Sequence, residues 1–286
     1  LTITEVNGGT VSFSVTHQYL DDGKAPGNGT AQDTSDITVT VRDDDTGLAT
    51  DSVELVVKNV APTVDDLTAV EAVVDENGVV TLTGTIVDVG TLDAFDVSID
   101  WGDESQKTEF KVAANARTFS KTHRYLDDTG LEQGKATIKV TVTDDDTGKG
   151  EDTVVVTVKN VAPTVGKPTL DPLIIDEGEL VTLTGNFTDP GLQDSHKVVI
   201  TWDDLHSPKS TFNLNAIKDL KQNDVVNAEE QNATLTIIGV NGGTVSFTVQ
   251  HQYLDDDPTG TISDDKVITV TVTDDDGGVG KSTVGL

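Results

Sequence analysis

The chain has 286 residues, with 50 acidic side chains against 19 basic ones and a formal net charge of −31. A field of this sign repels phosphate, so nucleic acid and anionic membrane surfaces are excluded as partners and cations are favoured. Cysteine is absent, so disulfides and thiol chemistry do not contribute. No run of 18 apolar residues occurs, so no membrane insertion is predicted in this segment.

The sequence repeats itself at a domain-sized period. Lys58–Val64 recurs as Lys159–Val165, and Trp101 recurs as Trp202, both 101 residues later. The pattern His-x-Tyr-Leu-Asp-Asp begins three times, at His17, His123 and His251. A period of this length predicts tandem domains, not a solenoid of small units. Tandem copies usually provide length, stiffness or multivalency, so the chain is not predicted to be an enzyme.

Residues 1–60 are predicted to be the C-terminal half of a long-type repeat. Leu1–Phe13 matches Leu235–Phe247 of the last repeat almost residue for residue. Both ends of the chain therefore look cut. Either the sequence is a window onto a longer polypeptide, or neighbouring subunits complete the half-domain by strand addition.

Residues 61–161 are predicted to form a complete short-type repeat. Short β-branched runs with turn signals every eight to twelve residues are typical of an immunoglobulin-like sandwich. The predicted strands are A near Leu67–Val74, B near Val79–Val87, C near Asp96–Trp101, C′ or D near Thr108–Val112, E near Thr118–Tyr125, F near Ala136–Thr143 and G near Asp152–Lys159.

Residues 162–286 are predicted to be a long-type repeat whose last strand is truncated. From Trp202 to His251 there are 49 residues, against 22 from Trp101 to His123, which indicates an insertion at about 207–240. Within the insertion, Asn213–Asn223 favours a helical turn. As the exposed part that distinguishes the two repeat types, the insertion is the best candidate for lateral contact or ligand binding.

The predicted fold class is therefore all-β: immunoglobulin-like β-sandwich domains in tandem, arranged end to end. The short linkers, each with a proline at Pro62 or Pro163, predict stiff connections between neighbouring repeats.

Acidic side chains cluster at the poles of the predicted sandwiches. The B–C and F–G turns lie at the pole where the linker enters, and the A–B turn near Glu76 and the E–F turn at Asp127–Asp128 lie at the opposite pole. Stacked repeats would bring acidic pole against acidic pole. The candidate metal ligands in the B–C and F–G turns are Asp88, Asp93, Asp144, Asp145, Asp146, Asp189, Asp194, Asp274, Asp275 and Asp276.

This arrangement is costly without a cation. Two carboxylates ~6 Å apart repel by roughly 3 kcal/mol at an effective dielectric of about 20. Flexible turns rich in oxygen ligands suit Ca²⁺, whereas Mg²⁺ demands stricter geometry and keeps its waters. No His/Cys cluster typical of zinc occurs. The alternative interpretation is that aspartate serves as a turn former and solubiliser.

The motifs Ile99–Asp103, Val140–Asp146 and Asn59–Val64 resemble those of tandem PKD (polycystic-kidney-disease-type) repeats of large bacterial surface proteins. The resemblance spans essentially the whole chain. It implies Ca²⁺ bound near the N-terminal linker of each repeat, with Asn59 and Asn160 as additional ligands. One departure is the sequence Trp-Asp-Asp at 202–204, where the family usually has Trp-Gly-Asp, so that turn must avoid positive φ or tolerate strain.

Three other residue sets have structural interpretations. Trp101 and Trp202 could stack on sugars, but tryptophan on strand C is more typical of the sandwich core. The His-Tyr pairs favour an edge-packed histidine and a tyrosine hydroxyl bonded to backbone. Paired carboxylates can mark a glycosidase, yet here they lie on turns without a lined cleft.

The predicted function is a non-enzymatic structural repeat, a Ca²⁺-stiffened stalk or filament segment of an extracellular, cell-surface or adhesive protein. Its partners would be neighbouring repeats of the same or identical chains. Two alternatives stay open: a carbohydrate- or receptor-binding module of a secreted protein, with a surface ligand or glycan as partner, and a fibre subunit assembled by strand exchange.

Overall fold

The structure is a computed structural model that describes residues 1–23, 27–128, 131, 133–230, 232–256 and 260–286. Over these residues it consists of β-strands and one short 3-10 helix, which confirms the predicted all-β fold class. None of the described residues belongs to a helix with the length and apolar character needed to cross a membrane.

The chain divides into two compact units. Unit 1 comprises Leu1–Val70, Thr81–Lys121 and Thr137–Val155, and unit 2 comprises Glu71–Val80, Thr122–Ala136 and Val156–Leu286. The predicted repeat boundaries at 60 and 161 do not coincide with this division and stay predictions.

The first repeat forms two antiparallel hairpins in unit 1, each a separate two-stranded sheet. Gly8 and Gly9 form the tip of the first hairpin with φ values of 56° and 84°, a conformation that glycine adopts without a Cβ penalty. Most side chains of both hairpins are exposed. The strands are β1 (Thr2–Asn7), β2 (Thr10–Ser14), β3 (Gln32–Arg42) and β4 (Leu48–Lys58).

The strands of the middle repeat agree with the sequence prediction except at strand A. The observed strands are β5 (Thr63–Ala69), β6 (Val73–Asp75), β7 (Val79–Val87), β8 (Phe95–Asp100), β9 (Thr108–Val112), β10 (Thr118–Arg124), β11 (Lys135–Asp144) and β12 (Lys149–Lys159). Within unit 1, β5 and β7 pair antiparallel, as do β8 and β9, and β8 and β11.

The predicted strand A is wrong as one continuous element, because its backbone changes partner midway. The Val70 N–H donates to the Thr81 carbonyl within unit 1. Two residues later, the Ala72 carbonyl accepts from the Thr157 N–H within unit 2, where β6 then pairs in parallel with β12. The segment is therefore two short strands, β5 and β6.

The third repeat lies in unit 2. Its strands are β13 (Thr164–Val165), β14 (Thr169–Asp171), β15 (Leu180–Thr188), β16 (His196–Thr201), β17 (Lys209–Leu214), β18 (Val225–Asn227), β19 (Thr234–Asn241), β20 (Thr244–Gln252), β21 (Val267–Asp274) and β22 (Val279–Gly285). One sheet has the order β13-β15-β20-β19-β18, with β14 also paired to β15, and the other has the order β17-β16-β21-β22. Inward-facing residues alternate with outward ones, as a two-sheet core requires.

Both tryptophans are core residues, as predicted: Trp101 is 1% exposed and Trp202 is fully buried. The Tyr253 hydroxyl donates to the Trp202 carbonyl oxygen at 2.7 Å. The His251 ring stacks on the Trp202 indole, with centroids 4.3 Å apart, and its Nε2 lies 2.9 Å from Asp204 Oδ2. These contacts support the structural interpretation of the third His-Tyr pair.

The departure at Asp203 is accommodated by the backbone. Asp203 adopts φ 57°, and Gly102, at the matching position of the middle repeat, adopts φ 76°. Aspartate tolerates the left-handed region better than most residues. The Asp203 carboxylate also accepts the Val267 N–H at 3.0 Å, which ties the turn to the start of β21.

The insertion is not merely an exposed appendage. It contributes β18, β19 and a 3-10 helix at Ile217–Asp219, which lies within the predicted helical turn. Its apolar side chains Ile217, Leu220, Leu235 and Ile237 are buried in the core of the third repeat. The expectation of an exposed insertion is therefore wrong over these residues, because β19 pairs along β20 and extends the sheet.

Candidate metal centres

Two groups of acidic side chains lie where consecutive repeats meet, one in each compact unit. The first junction consists of the side chains of Asp21, Asp22, Asn59, Asp88, Asp93, Asp144, Asp145 and Asp146. The second junction consists of the side chains of Glu76, Asp127, Asp128, Asn160, Asp189, Asp194, Asp274, Asp275 and Asp276.

In the first junction, aspartates at the ends of β7 and β11 close their own turns. Asp88 Oδ1 accepts the Gly90 N–H at 2.9 Å. Asp144 Oδ1 accepts the N–H groups of Asp146 and Gly148 at 3.0 and 2.6 Å. This use of one carboxylate oxygen is typical of aspartate in turns. The second oxygen of each side chain is left for other contacts.

Three of these carboxylates converge. Asp88, Asp93 and Asp144 each place an oxygen within 4.8 Å of the others. Asp93 and Asp144 are 2% and 4% exposed, so water screens them poorly. Asp88 Oδ2 is buried and has no hydrogen-bond partner. The structure thus brings together three of the residues that the sequence marked as candidate ligands.

The linker asparagines contact the F–G turns through their amide nitrogens. Asn59 Nδ2 donates to Asp144 Oδ2 at 2.9 Å, and Asn160 Nδ2 donates to Asp274 Oδ2 at 3.3 Å. Asn160 Oδ1 is buried without a hydrogen-bond partner. In this arrangement, both asparagines orient a carboxylate.

Burial and mutual repulsion favour protonation in the first junction. Burial, followed by the charges of Asp88 and other neighbouring carboxylates, raises the pKa of Asp93 to about 7. Burial also raises the pKa of Asp88, and the Arg117 guanidinium partly opposes that rise. Arg117 is held beside the turn because its Nη2 donates to the Gly90 carbonyl at 2.8 Å and its guanidinium lies 4.7 Å from the centroid of the Phe95 ring.

The other aspartates of the first F–G turn point elsewhere. Asp145 Oδ1 accepts the Ala94 N–H at 3.2 Å, while its Oδ2 is buried without a partner. Asp146 lies in a second cluster with Asp21 and Asp22 of the first repeat, with oxygens again within 4.8 Å of one another. The three consecutive aspartates of this turn therefore contact different groups.

The second junction is more deeply buried. Its main cluster is formed by Glu76, Asp189 and Asp194, with oxygens within 4.8 Å of one another and exposures of 2%, 0% and 0%. Neither oxygen of Asp194 has a hydrogen-bond partner, and neither does Glu76 Oε2. Buried carboxylate oxygens without donors are uncommon and costly.

The remaining oxygens of this cluster are held firmly. Asp189 Oδ1 accepts the Gly191 N–H at 3.0 Å, and its Oδ2 lies 3.0 Å from His196 Nε2. Glu76 Oε1 accepts the Val161 N–H at 2.7 Å, so the linker itself orients Glu76. One carboxylate from the middle repeat is therefore fixed against two from the third.

Electrostatic strain is greatest here. Burial, followed by the charges of Glu76 and Asp127, raises the pKa of Asp194 to about 9. Burial is also the main cause that raises the pKa of Glu76 to about 7, and the hydrogen bond from the Val161 N–H opposes it. A bound cation would relieve the same repulsion that otherwise favours protonation.

Further carboxylates line the second junction. Asp127 shares one cluster with Glu76 and Asp128, and another with Asp194 and Asp276. Burial, followed by the charge of Asp276, raises the pKa of Asp128 to about 6. The other two aspartates of this F–G turn bind backbone: Asp274 Oδ1 accepts the Gly278 N–H at 2.6 Å, and exposed Asp275 accepts the Ser195 N–H at 3.1 Å.

Sequence reasoning missed ligand candidates contributed by the preceding repeat. Asp189 and Asp194 lie together, but the third member of their cluster is Glu76, which the sequence only placed on the opposite acidic pole. The Asp-Asp pairs at 21–22 and 127–128 also lie in these clusters and were likewise not predicted as ligands. The signal was available, since each pair belongs to the recurring His-x-Tyr-Leu-Asp-Asp pattern.

The donor sets fit a hard divalent cation. They consist of carboxylate oxygens on turns, they include buried oxygens without hydrogen-bond donors, and nearby backbone carbonyls and waters can complete a shell of six to eight oxygens. When bound, Ca²⁺ would supply the positive charge that these clusters lack.

No protein-family model matches the chain, and no curated protein matches it. The resemblance to PKD repeats therefore stays an expectation.

Three solved structures are distantly similar to the chain. A tetra-tandem repeat from the extending region of a large adhesion protein is 16% identical, with a TM-score of 0.43, and the match covers 90% of this chain and 57% of that one. A structure of a 1.5-MDa bacterial ice-binding adhesin is 17% identical, with a TM-score of 0.26 and coverage of 88% and 72%. A complex of Dpr2 Ig1-Ig2 with DIP-Theta Ig1-Ig3 is 8% identical, with a TM-score of 0.27 and coverage of 88% and 72%. The chain thus spans little more than half of the first of these, and at such TM-scores the likenesses carry no functional argument.

Proposed function

We propose that this chain is a segment of an extracellular, non-enzymatic repeat protein in which Ca²⁺ holds consecutive β-sandwiches at fixed angles. One ion binds at Asp88, Asp93 and Asp144 in the first junction. Another binds at Glu76, Asp189 and Asp194 in the second. An array of such repeats serves as a stalk or filament of a cell-surface or adhesive protein.

One observation carries the proposal. Asp194 is fully buried with no donor to either oxygen, and it lies beside Glu76, which is 2% exposed and has one oxygen without a partner. Carboxylates about 5 Å apart repel by roughly 3 kcal/mol at an effective dielectric of about 20. A divalent cation converts this repulsion into attraction. Because Glu76 belongs to the middle repeat and Asp194 to the third, the same ion ties one repeat to the next.

The chain's own residues determine how rigid the tie is. Val161 orients Glu76 through its N–H, and Gly191 and His196 orient Asp189. These contacts pre-arrange the oxygens, so little conformational entropy remains to be lost when the ion binds.

The test is small-angle X-ray scattering of the full 286-residue chain in Ca²⁺, in Mg²⁺ and in chelator. We expect a narrower distance distribution in Ca²⁺ than in chelator, with little effect of Mg²⁺. The double variant Asp93→Asn/Asp194→Asn should lose the Ca²⁺ response. The matched control Asp36→Asn/Asp219→Asn removes two exposed charges and should keep it. Superimposable profiles of the wild-type chain in Ca²⁺ and chelator would contradict the proposal.

A further inference from the structure

A second acidic cluster in the first junction lies outside the proposed site at Asp88, Asp93 and Asp144. Asp21 and Asp22 follow the His-x-Tyr-Leu segment of the first repeat, and Asp146 is the last aspartate of the F–G turn in the middle repeat. Oxygens of these three side chains lie within 4.8 Å of one another. The cluster therefore brings carboxylates of two repeats close together.

The cluster contains a buried oxygen without a donor. Asp22 is 5% exposed, and its Oδ2 has no hydrogen-bond partner. Asp21 Oδ2 is likewise buried without a partner. The third member of the cluster, Asp146, offers only further acceptor oxygens when ionised. Such an arrangement points to a cation as the missing partner.

The protein already satisfies two other oxygens of this cluster. Asp146 Oδ1 accepts the N–H groups of Asn28 and Gly29 at 2.9 and 3.1 Å, and Asp21 Oδ1 accepts the Gly23 N–H at 3.1 Å. These bonds fix the carboxylates with their remaining oxygens directed at one another. Among the described residues, none of the three forms an ion pair with lysine or arginine.

Beside two of these carboxylates there is also room for water. A cavity of about 150 Å³ in unit 1 is lined by Asp21 and Asp22, with Lys58, Asn59 and Asp93 also in its wall. Water occupies roughly 30 Å³ per molecule in the liquid, so several waters fit. Ca²⁺ commonly keeps water among its six to eight oxygen ligands.

We infer that Asp21, Asp22 and Asp146 bind a second divalent cation of the calcium class, distinct from the ion at Asp88, Asp93 and Asp144. This ion clamps the 21–22 segment of the first repeat onto the F–G turn of the next. The inference deepens the proposed function and rests on it, because both need cation binding at the first junction.

The test counts bound ions. Full-length wild-type chain, Asp22→Asn, Asp93→Asn, the Asp22→Asn/Asp93→Asn double variant and the control Asp36→Asn are equilibrated with Ca²⁺, and bound calcium is measured by equilibrium dialysis. Asparagine keeps the shape of aspartate and can donate an N–H to Asp146, so Asp22→Asn should fold. Near-ultraviolet circular dichroism checks this independently.

We expect Asp22→Asn and Asp93→Asn each to bind one ion fewer than wild type, the double variant two fewer, and Asp36→Asn the same number. If the double variant loses only one ion, both clusters share a single cation and the inference is overturned. If Asp22→Asn binds as many ions as wild type while Asp93→Asn loses one, the inference fails and the proposed function stands. If wild type binds no calcium, both fail.

Discussion

Both junctions contain a B–C turn with the same spacing of aspartates, but the side chains around that turn differ. Asp88 of the first corresponds to Asp189 of the second, 101 residues later, and Phe95 corresponds to His196. At the first junction, Phe95 packs under the Arg117 guanidinium, and Asp88 Oδ2 has no partner. At the second, His196 lies in hydrogen-bonding contact with the Asp189 oxygen that matches this unpaired atom.

The difference shows how a neighbouring repeat can change the electrostatics of the same turn. The pKa of Asp93 is raised to about 7, whereas that of the matching Asp194 is raised to about 9, with Glu76 as the largest charged contributor after burial. At the first junction, the charge of Arg117 partly offsets the repulsion at Asp88. The same local motif therefore carries more unrelieved negative charge where the preceding repeat inserts a buried glutamate.

The largest expected effect is that of removing calcium. Ligand at a hundred times its dissociation constant stabilises the folded state by about 2.7 kcal/mol per site. We therefore expect chelation to lower the free energy of unfolding by at least this amount, with the transition that includes the second junction shifting most. Differential scanning calorimetry in Ca²⁺ and in chelator measures the shift, and identical traces would remove the basis for comparing the junctions as cation sites.

The next largest expected effect is a difference between the two junctions in how folding stability depends on pH when no metal is bound. The pKa values of Asp93, Glu76 and Asp194 are raised in the folded state, so their contribution to stability is fully present below the unfolded pKa of about 4. It is lost as the pH rises through about 7 at Asp93 and Glu76 and through about 9 at Asp194.

Urea unfolding of the chelated chain between pH 4 and 10 tests this. Stability should fall with rising pH, and Asp194→Asn should remove the part of the fall that extends above pH 8. If the stability of the wild-type chain rises with pH over this range, the repulsion among these carboxylates is offset by other groups.

Single amide substitutions should have smaller, opposite effects in the two conditions. Asp194→Asn replaces a buried carboxylate without donors, so in chelator it should stabilise the fold by about 1–3 kcal/mol. In Ca²⁺ it should abolish the gain from the ion at the second junction. Asp93→Asn should have the same two effects at the first junction, with a smaller stabilisation in chelator. The exposed control Asp219→Asn should change the stability in neither condition. Equal effects of the first two variants would mean that Glu76 adds nothing to the second junction.

Exchanging the supporting residue tests the comparison directly. His196→Phe gives the second junction the aromatic residue of the first and leaves Asp189 Oδ2 without its hydrogen bond. Loss of a buried hydrogen bond should cost about 1–2 kcal/mol in chelator. The cost should be smaller in Ca²⁺, because the freed oxygen can then ligate the ion. A cost that does not depend on calcium would show that His196 acts only through packing against Phe187.

The smallest expected effect is at Arg117. Arg117→Gln removes the positive charge beside Asp88 and weakens the bond to the Gly90 carbonyl. We expect a destabilisation of about 1 kcal/mol in chelator and a few-fold tighter Ca²⁺ affinity at the first junction, since the arginine competes with the ion electrostatically. Isothermal titration calorimetry measures the affinity, and weaker binding in the variant would contradict this role.

Local patterns predicted much of the fold. β-branched alternation located β7 and β9 residue for residue, and the position of Trp101 and Trp202 on the predicted strand C placed both in the core. The switch between β5 and β6 was not predictable, because both segments have the same strand pattern and only the tertiary partner decides which sheet each joins.

In each proposed cation site, the sequence predicted only the residues that belong to the recurring B–C and F–G turns. Asp88 and Asp93 recur 101 residues later as Asp189 and Asp194, and Asp144 recurs as Asp274 at the end of the corresponding strand, so the sequence marks all three as members of recurring turns. Glu76 lies in an ordinary acidic turn, and its burial follows from contact with the next repeat, which no local pattern reports. His196 replaces an aromatic residue, and nothing in the sequence shows that its ring faces a carboxylate.

The parallel pairing of β6 with β12 has a mechanical consequence. Thr157 lies opposite Val73, and Lys159 lies opposite Asp75, so the two strands run in the same direction near the start and the end of the middle repeat. Tension along the polypeptide pulls β6 towards its N-terminus and β12 towards its C-terminus. The backbone hydrogen bonds between them are then loaded in shear and must break together, whereas an antiparallel hairpin pulled from its open end unzips one bond at a time.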